Sequence, residues 1–259
     1  MKAVLLAGGL GTRMREETEF RPKPMVEVGG KPVLWHIMKI LSAQGINDFI
    51  VCTGYKSEFI ADYFANYRTA NTDFTVTLGD ESTIEYHDES HEELNWRVTV
   101  AYTGADTMTG GRIKRVQKYI GDEPFFCTYG DGLANVNVPA LLDFHAEHGR
   151  IATMTTTRPY SRFGVIDMQD DGSVATFREK PQTDDWVNIG YFIFQPEIFD
   201  YIEGDAAVLE QEPLHTLANL GQLSGFKHDG FWQPMDTFRE SQMLNQMWAS
   251  GTAPWKIWG

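Results

Sequence analysis

The 259-residue sequence lacks the features that mark several common classes of protein. It has only two cysteines, Cys52 and Cys127, and both lie in apolar, strand-like runs. We expect small buried side chains in a reducing compartment, the alternatives being a disulfide or a shared metal. No apolar stretch reaches the roughly 18 residues that a membrane span needs. The N-terminus also lacks the basic and apolar segments of a signal peptide. We therefore expect a cytoplasmic protein with no membrane partner.

Basic residues are scarce as well. The chain has 22 Lys and Arg against 36 Asp and Glu, and a formal net charge of −14. This charge disfavours nucleic acid as a partner. The 7 histidines form no metal set, because His87 and His91 are four apart but lie among acidic residues with no helical stripe. No Ser/His/Asp or Cys/His arrangement indicates a nucleophilic enzyme.

A glycine-rich turn directly follows the first apolar run of the chain. Residues 3–7 are continuously apolar, which is typical of a strand buried on both faces of a parallel sheet. Gly8, Gly9 and Gly11 then allow a tight turn and a close approach of the backbone to a ligand. Exposed N–H groups in such a turn bind anions, and Arg13 adds a planar set of donors suited to phosphate. The segment therefore predicts a phosphate site.

Two familiar glycine motifs do not fit this segment. A dinucleotide fingerprint counted from Gly9 requires Gly or Ala where Met14 stands. A P-loop fails at the Gly30-Lys31 pair, because Met25 replaces the first glycine and Pro32 follows the lysine. A turn without any ligand is the remaining alternative, and three glycines beside polar and basic residues argue against it.

The glycine turn and a nearby lysine together carry a resemblance. Gly8-Gly-x-Gly-Thr-Arg13 with Pro22-Lys23-Pro24 resembles the signature of the sugar-1-phosphate nucleotidylyltransferases, and the resemblance extends over nearly the whole chain. It implies transfer of a nucleotidyl group from a nucleoside triphosphate to a sugar 1-phosphate, with Mg²⁺ as cofactor and a homo-oligomeric assembly. The nucleotide contacts that it implies in this part of the chain, and at one later glycine, are Leu6, Ala7, Gly8, Gly9, Leu10, Gly11, Thr12, Arg13, Lys23 and Gly130.

Two aspartates are candidate metal ligands. Asp131 lies in Thr128-Tyr-Gly-Asp-Gly132, after a buried strand, where a carboxylate is open to a ligand and suits Mg²⁺. Asp236 ends Phe231-Trp-Gln-Pro-Met-Asp236. The alternatives are a turn aspartate at the first position and the N-cap of a helix starting near Thr237 at the second. The resemblance implies that both carboxylates hold the metal.

A second motif resembles the sugar-phosphate contacts of the same family. Glu179, in Phe177-Arg-Glu-Lys-Pro181, corresponds to the residue that accepts hydrogen bonds from sugar hydroxyls, and Lys180 to the residue that pairs with the sugar phosphate. Asn188 corresponds to a further sugar contact. From the residues alone, the alternative is a surface charge pair that follows a strand.

A third motif narrows the resemblance. Thr107-Met-Thr-Gly-Gly-Arg-Ile-Lys-Arg115 resembles the form found in glucose-1-phosphate cytidylyltransferases, which implies CTP and glucose 1-phosphate as substrates. Thr107 and Thr109 then belong to the nucleotide site, Gly110 and Gly111 let backbone amides approach the nucleotide, and Arg112 reaches the base or phosphates. The alternative is a simple helix N-terminus with a solvated Arg112. CDP-glucose feeds lipopolysaccharide O-antigen synthesis in relatives. Two alternative functions stay open: the same chemistry with dTTP, UTP or GTP, and a non-catalytic nucleotide-sugar sensor.

The pattern of elements predicts an α/β fold. Strand-like and helical segments alternate through residues 1–157, which indicates a mainly parallel sheet with helices on both faces. A hairpin over 163–177 and a strand over 187–194 begin a more β-rich part. With the resemblance, we expect a Rossmann-like mixed sheet of the nucleotide-diphospho-sugar transferase type and a small β-rich sugar-binding part. We expect one domain over 1–259, with residues 1–135 mainly binding nucleotide. Residues 136–259 would bind the sugar phosphate and end in an aromatic tail that contacts other copies.

Overall fold

The computed structural model describes residues 1–78, 83–87 and 92–258. Within this part of the chain, the strands are β1 (Lys2–Leu6), β2 (Glu27–Val28), β3 (Lys31–Pro32), β4 (Asp48–Thr53), β5 (Phe74–Thr77), β6 (Thr83–Tyr86), β7 (Arg97–Tyr102), β8 (Phe125–Tyr129), β9 (Gly132–Ala134), β10 (Ala152–Thr157), β11 (Val165–Met168), β12 (Val174–Arg178), β13 (Val187–Phe194), β14 (Leu223–Lys227) and β15 (Trp232–Pro234).

The helices connect these strands. They are α1 (Arg15–Thr18), α2 (Val33–Ser42), α3 (Ser57–Ala65), α4 (Tyr67–Asn71), α5 (Thr109–Arg115), α6 (Gln117–Ile120), α7 (Val138–His148), α8 (Glu212–Asn219) and α9 (Phe238–Ala249). Short 3-10 turns occupy Thr12–Met14, Lys23–Met25, Glu92–Asn95 and Pro196–Tyr201. None of the helices described here is long and apolar enough to cross a membrane.

A seven-stranded sheet organises the molecule. Its strand order is β14-β10-β13-β8-β1-β4-β7. β1 pairs in parallel with both β4 and β8, and β4 and β10 pair in parallel with β7 and β14. Only β13 runs antiparallel to its two neighbours in this sheet. The predicted mixed, mainly parallel sheet is confirmed, and it brings the carboxyl ends of β1, β4, β7 and β8 to one edge.

Side chains of β1 pack alternately into two apolar cores, one on each face of the sheet. Ala3 and Leu5 face a core that contains α2, whereas Val4 and Leu6 face a core that contains Ile113 of α5. Helices therefore cover both faces, as the βαβ pattern predicts. Cys52 and Cys127 are free and buried in the second core, as expected. Burial raises the pKa of the Cys52 thiol to about 12, so it stays protonated at neutral pH.

The C-terminal aromatic tail packs against its own chain. Trp255 is fully buried, stacks on Phe231 and donates a hydrogen bond from Nε1 to Nδ1 of His36 at 3.4 Å. Trp248 and Trp258 also lie within ring-contact distance of His36. Trp255 is thus buried within its own chain, and the predicted contact of the tail with other copies stays a prediction. Apolar burial inside the same chain accounts for its aromatic character.

The helical segment that begins near the Gly110-Gly111 pair is divided into α5 and α6 at Val116, which is the C-cap of the first helix and the N-cap of the second. The expected hairpin over 163–177 is present as the antiparallel pair β11–β12. The sequence pattern excludes His87 and His91 as metal ligands. His87 forms a hydrogen bond with Thr75, and His91 lies outside the described residues.

Candidate active site

The glycine turn leaves β1 at the carboxyl edge of the sheet. Gly11 has a φ of +62°, a conformation that glycine adopts without a steric cost. Its carbonyl accepts hydrogen bonds from Met14 N at 3.0 Å and from Thr18 Oγ1 at 3.1 Å. These bonds fold residues 12–14 back as a 3-10 turn. The turn is therefore a defined structure that borders open space, as an anion site requires.

A cavity of about 530 Å³ opens beside this turn. It lies at the carboxyl ends of the parallel strands, where ligands bind in open α/β sheets. Most of the predicted nucleotide and catalytic residues line it, namely Leu6, Ala7, Gly8, Gly9, Leu10, Gly11, Thr12, Lys23, Thr107, Thr109, Arg112 and Asp131. Gly130 adjoins the cavity instead, with its N–H bonded to the Leu6 carbonyl at 3.0 Å. The side chain of Arg13 lies outside the described part, so its predicted phosphate contact stays a prediction.

Lys23 joins the two predicted metal ligands. Its Nζ lies 2.6 Å from Oδ2 of Asp131 and 2.6 Å from Oδ1 of Asp236. The Lys23 side chain is 8% exposed, whereas those of Asp131 and Asp236 are 31% and 17% exposed. The two carboxylates therefore converge on one cation and both stay partly exposed. Of the two, Asp131 lines the cavity, whereas Asp236 lies beside it through their shared contact with Lys23.

A short antiparallel ribbon brings these distant carboxylates together. β9 pairs with β15, with Gly132 opposite Pro234, and Met235 N donates to Asp131 O at 2.9 Å. Asp131 directly precedes one strand of the ribbon, and Asp236 follows the other closely. The helix cap proposed for Asp236 is supplied by Thr237, whose side chain forms a capping box with Glu240 at the start of α9.

These residues fit a divalent cation. Mg²⁺ prefers oxygen ligands and typically takes one or two carboxylates, completing its shell with water and substrate phosphates. The ammonium of Lys23 already shows that a cation is held between the two carboxylates. No group of three or more potential metal-ligating side chains occurs among the described residues, so a pair of carboxylates beside a phosphate cavity is the best candidate there.

Arg112 lines the cavity and bonds to several parts of its own chain. Its guanidinium is buried and donates through Nη1 to Thr53 O at 3.1 Å, Thr103 Oγ1 at 2.8 Å and Gly104 O at 2.8 Å. Nη2 donates to Gly8 O at 3.0 Å and Ala105 O at 3.3 Å. Both terminal nitrogens are thus committed to the walls of the cavity.

Arg112 therefore stabilises the local structure of the cavity wall. It ties the glycine turn to the ends of β4 and β7, and a Cβ on Gly8 would stand 2.1 Å from its Nη1. Desolvation lowers the pKa of this guanidinium, but an arginine stays charged at neutral pH. These contacts shape the phosphate turn. Arg112 also lines the cavity, and its predicted contact with the base or phosphates stays a prediction.

Gly110 and Gly111 pack against another segment of the chain. Both are buried against the chain that precedes α8, where a Cβ would stand 2.9 Å from Ala207 O or 2.6 Å from Asp205 O, respectively. Gly111 N donates to Ala207 O at 3.1 Å. These two glycines do not border the cavity that the described residues form. Close packing of two backbones, rather than approach to a nucleotide, explains why a side chain is absent there.

The predicted sugar contacts lie apart from this cavity. Glu179 and Lys180 follow the exposed hairpin β11–β12, and their side chains are 63% and 62% exposed and 3.9 Å apart. Lys180 has a φ of +45°, which is unusual for a residue with a side chain. Asn188 lies on β13 and accepts a hydrogen bond from Gly190 N at 2.8 Å. None of the three borders the cavity in the described part of the chain.

Several cavity residues escaped prediction. Tyr129 is the most notable, because it ends β8 and directly precedes Gly130-Asp131. Its position at the carboxyl end of a central parallel strand was a usable signal. Pro24, Ala105, Asp106 and Met108 also line the cavity. Met108 lies within the Thr107–Arg115 motif. Ala105 and Asp106, which precede this motif, belong to no motif that would have indicated them.

The combination of this sheet, a phosphate turn and paired carboxylates defines a protein that handles nucleotides. A family model described as nucleotidyl transferase matches residues 2–223, and the chain belongs to that family. Over 260 residues, covering all of both chains, it is 52% identical to the glucose-1-phosphate cytidylyltransferase of Salmonella typhi. It is 44% identical to the probable glucose-1-phosphate cytidylyltransferase of Bacillus subtilis, again over both complete chains.

A solved structure supports the fold. It is a putative glucose-1-phosphate thymidylyltransferase from Bacillus anthracis, which this chain matches with a TM-score of 0.71 at 17% identity. The match covers 100% of this chain and 97% of the other. At this identity the likeness concerns the fold alone. The sequence-based prediction of the family, and of the fold type, is confirmed.

Proposed function

We propose that the protein transfers a cytidylyl group from CTP to α-D-glucose 1-phosphate, giving CDP-glucose and pyrophosphate. The observation that carries this proposal is the 52% identity, along the full length, to a protein named for that activity. The cavity supports it, because the phosphate turn, Lys23 and Asp131 border one space.

The reaction needs positioning more than proton transfer. A phosphate monoester has a second pKa of about 6, so its oxygen is a competent nucleophile near neutral pH without a general base. One bond forms between this oxygen and the α-phosphorus of CTP. The bond from the α-phosphorus to the oxygen that bridges to the β-phosphorus breaks, and pyrophosphate leaves with the electron pair. The protein accelerates such a step by alignment and by charge stabilisation.

The residues of the site divide this work. The backbone of the glycine turn holds the triphosphate, and Arg13 braces the pyrophosphate. Lys23 offsets the charge that grows on the α-phosphate oxygens. Asp131 and Asp236 would hold Mg²⁺, which would supply neutralisation of the charge on the reacting phosphates. Lys180 holds the sugar phosphate in line for attack.

The glucose hydroxyls complete the proposed contacts. Glu179 and Asn188 bind them, which requires the exposed end of β12 to meet the sugar at the edge of the cavity. We retain one domain with a nucleotide part over 1–135 and a sugar-phosphate part over 136–259. A cytoplasmic location and a homo-oligomeric assembly also belong to the proposal, and light scattering of the purified protein tests the assembly.

One assay tests the proposed activity. The protein is incubated with glucose 1-phosphate, Mg²⁺ and each nucleoside triphosphate in turn, and pyrophosphate is measured. Release with CTP alone is the expected result. Equal release with dTTP, UTP or GTP would contradict the base specificity. No release with any of the four triphosphates, CTP included, would favour a nucleotide-sugar sensor.

A further inference from the structure

Glu210 forms hydrogen bonds with two side chains that line the cavity, although it does not line the cavity itself. Its Oε1 accepts a short hydrogen bond from the hydroxyl of Tyr129, and its Oε2 accepts one from Thr109 Oγ1 at 2.8 Å. Tyr129 and Thr109 both line the cavity, whereas Glu210 does not. A single carboxylate therefore holds two wall residues that come from separate elements, the end of β8 and the start of α5.

The segment that carries Glu210 is itself fixed to α5. Arg115 donates to both carboxylate oxygens of Asp205, at 2.7 and 2.5 Å. Two backbone bonds join residues 108 and 111 to the carbonyls of residues 205 and 207. Leu209 N donates to Thr109 Oγ1 at 2.9 Å, and Leu209 is fully buried. Glu210 thus presents its carboxylate from an anchored backbone, so the positions of its oxygens are defined.

The two residues that Glu210 holds belong to different sides of the site. Thr109 continues the wall formed by residues 105–108, which lines the cavity together with the glycine turn. Tyr129 directly precedes Gly130-Asp131, and its ring lies over Gly190, where a Cβ would stand 2.1 Å from Tyr129 Cδ2. Gly190 N in turn bonds Asn188. One side of this arrangement adjoins the proposed nucleotide wall, and the other adjoins the proposed metal and sugar residues.

We propose that Glu210 is a positioning residue for nucleotidyl transfer. By fixing the Tyr129 hydroxyl and the Thr109 hydroxyl to one carboxylate, it sets the spacing between the nucleotide wall and the sugar side of the cavity. The two substrates must meet in line at one phosphorus, and a displacement of about 1 Å can cost about a hundredfold in rate. This inference rests on the proposed function, and it assigns Glu210 a role through Tyr129 and Thr109 rather than a contact with substrate.

The test compares two substitutions of one residue. Glu210→Leu removes both acceptors, and we expect kcat/KM to fall by about 10- to 100-fold. Glu210→Gln keeps an oxygen and adds an N–H, and a hydroxyl can turn from donor to acceptor. We therefore expect Glu210→Gln to keep kcat/KM within about threefold of the wild type, on the scale of one modest hydrogen bond. If Glu210→Gln loses as much activity as Glu210→Leu, the carboxylate charge acts directly and the positioning role is overturned.

Single substitutions of the two wall residues separate the sides of the cavity. Thr109→Val should mainly raise the KM for the nucleotide, Tyr129→Phe should mainly raise the KM for the sugar phosphate, and Glu210→Leu should raise both. Combining Tyr129→Phe with Glu210→Leu should cost less than the product of the two single losses, because both changes break the same bond. If Glu210 only stabilised the fold, Glu210→Leu would lower the apparent kcat through loss of folded enzyme and leave both KM values unchanged. That result would overturn the proposal.

The controls keep this inference apart from the proposed function. Glu212→Gln, an exposed carboxylate two positions further on, should leave all constants unchanged. Each variant is assayed with whichever nucleoside triphosphate the wild type uses. If the wild type prefers a triphosphate other than CTP, the base assignment fails while the Glu210 comparison stays valid. If the Glu210→Leu variant keeps the wild-type KM for both substrates, the positioning role of Glu210 is rejected and the proposed function is unaffected.

Discussion

Arg112 is the side chain whose removal we expect to affect the site most broadly. Arg112→Met keeps much of the apolar length and removes every donor. Gly104 and Ala105 are partly or fully exposed residues whose carbonyls can bond to water instead, whereas Thr53 and Gly8 are buried. The Thr53 and Gly8 carbonyls each keep one backbone donor, Thr103 N and Tyr55 N, so each loses its charged hydrogen bond alone. Each buried carbonyl that loses a charged donor costs about 1.5 kcal/mol or more. We therefore expect the free energy of unfolding to fall by about 3 kcal/mol.

Thermal unfolding followed by circular dichroism measures this loss. In a domain of this size, 1 kcal/mol corresponds to about 2–4 °C in Tm, so Arg112→Met should lower Tm by about 6–12 °C. The KM for CTP should also rise, because the Gly8 carbonyl anchors the phosphate turn to Arg112. Arg115→Met is the matched control, since Arg115 lies on the same helix and pairs with Asp205 at the surface. The control should lower Tm by no more than about 4 °C, because an exposed ion pair contributes about 1 kcal/mol or less. An Arg112→Met protein with wild-type Tm and wild-type KM for CTP would refute this reasoning.

Three further predictions concern the charged and titratable groups. Lys23→Met should lower kcat by about a hundredfold in the pyrophosphate assay, the scale of one lost oxyanion contact, and wild-type turnover would contradict its role. Asp236→Asn should weaken Mn²⁺ binding, followed by electron paramagnetic resonance without substrate, by about tenfold or more, and unchanged binding would remove Asp236 from the metal site. Burial lowers the pKa of His36 to about 4, from about 6.5 in the unfolded chain, so unfolding takes up a proton as pH falls through this window. Stability should drop by up to about 3 kcal/mol between pH 7 and pH 4. His36→Asn should reduce this drop in denaturant titrations, whereas exposed His215→Asn should not, and an equal drop in both variants would be evidence against His36.

Local patterns in the sequence were enough to predict the phosphate turn and the sheet. Residues 3–7 carry their own signal, because continuous apolarity before glycines is typical of a central parallel strand. The convergence of Asp131 with Asp236 was also predicted, but only through the resemblance to a family. No spacing rule links the two residues, and their meeting depends on the pairing of β9 with β15.

The roles of Arg112, Gly110 and Gly111 could not be predicted from local sequence. The acceptors of Arg112 come from three separate parts of the chain, and the partner of the glycines is a backbone segment with no motif. The motif that contains all three residues also contains Thr107, Met108 and Thr109, which line the cavity. It could not distinguish a residue that contacts the ligand from one that shapes the wall, because arginine and glycine serve both purposes.

The β9–β15 ribbon also determines when the site can exist. One strand ends at Ala134 and the other does not begin until Trp232, so a growing chain has its glycine turn, Lys23 and Asp131 long before it has Asp236. Until the last strand emerges, Lys23 can meet only one of its two carboxylates. The cation site is therefore completed near the end of synthesis. A chain that is cut short before Trp232 has the residues of the phosphate turn but lacks the second carboxylate.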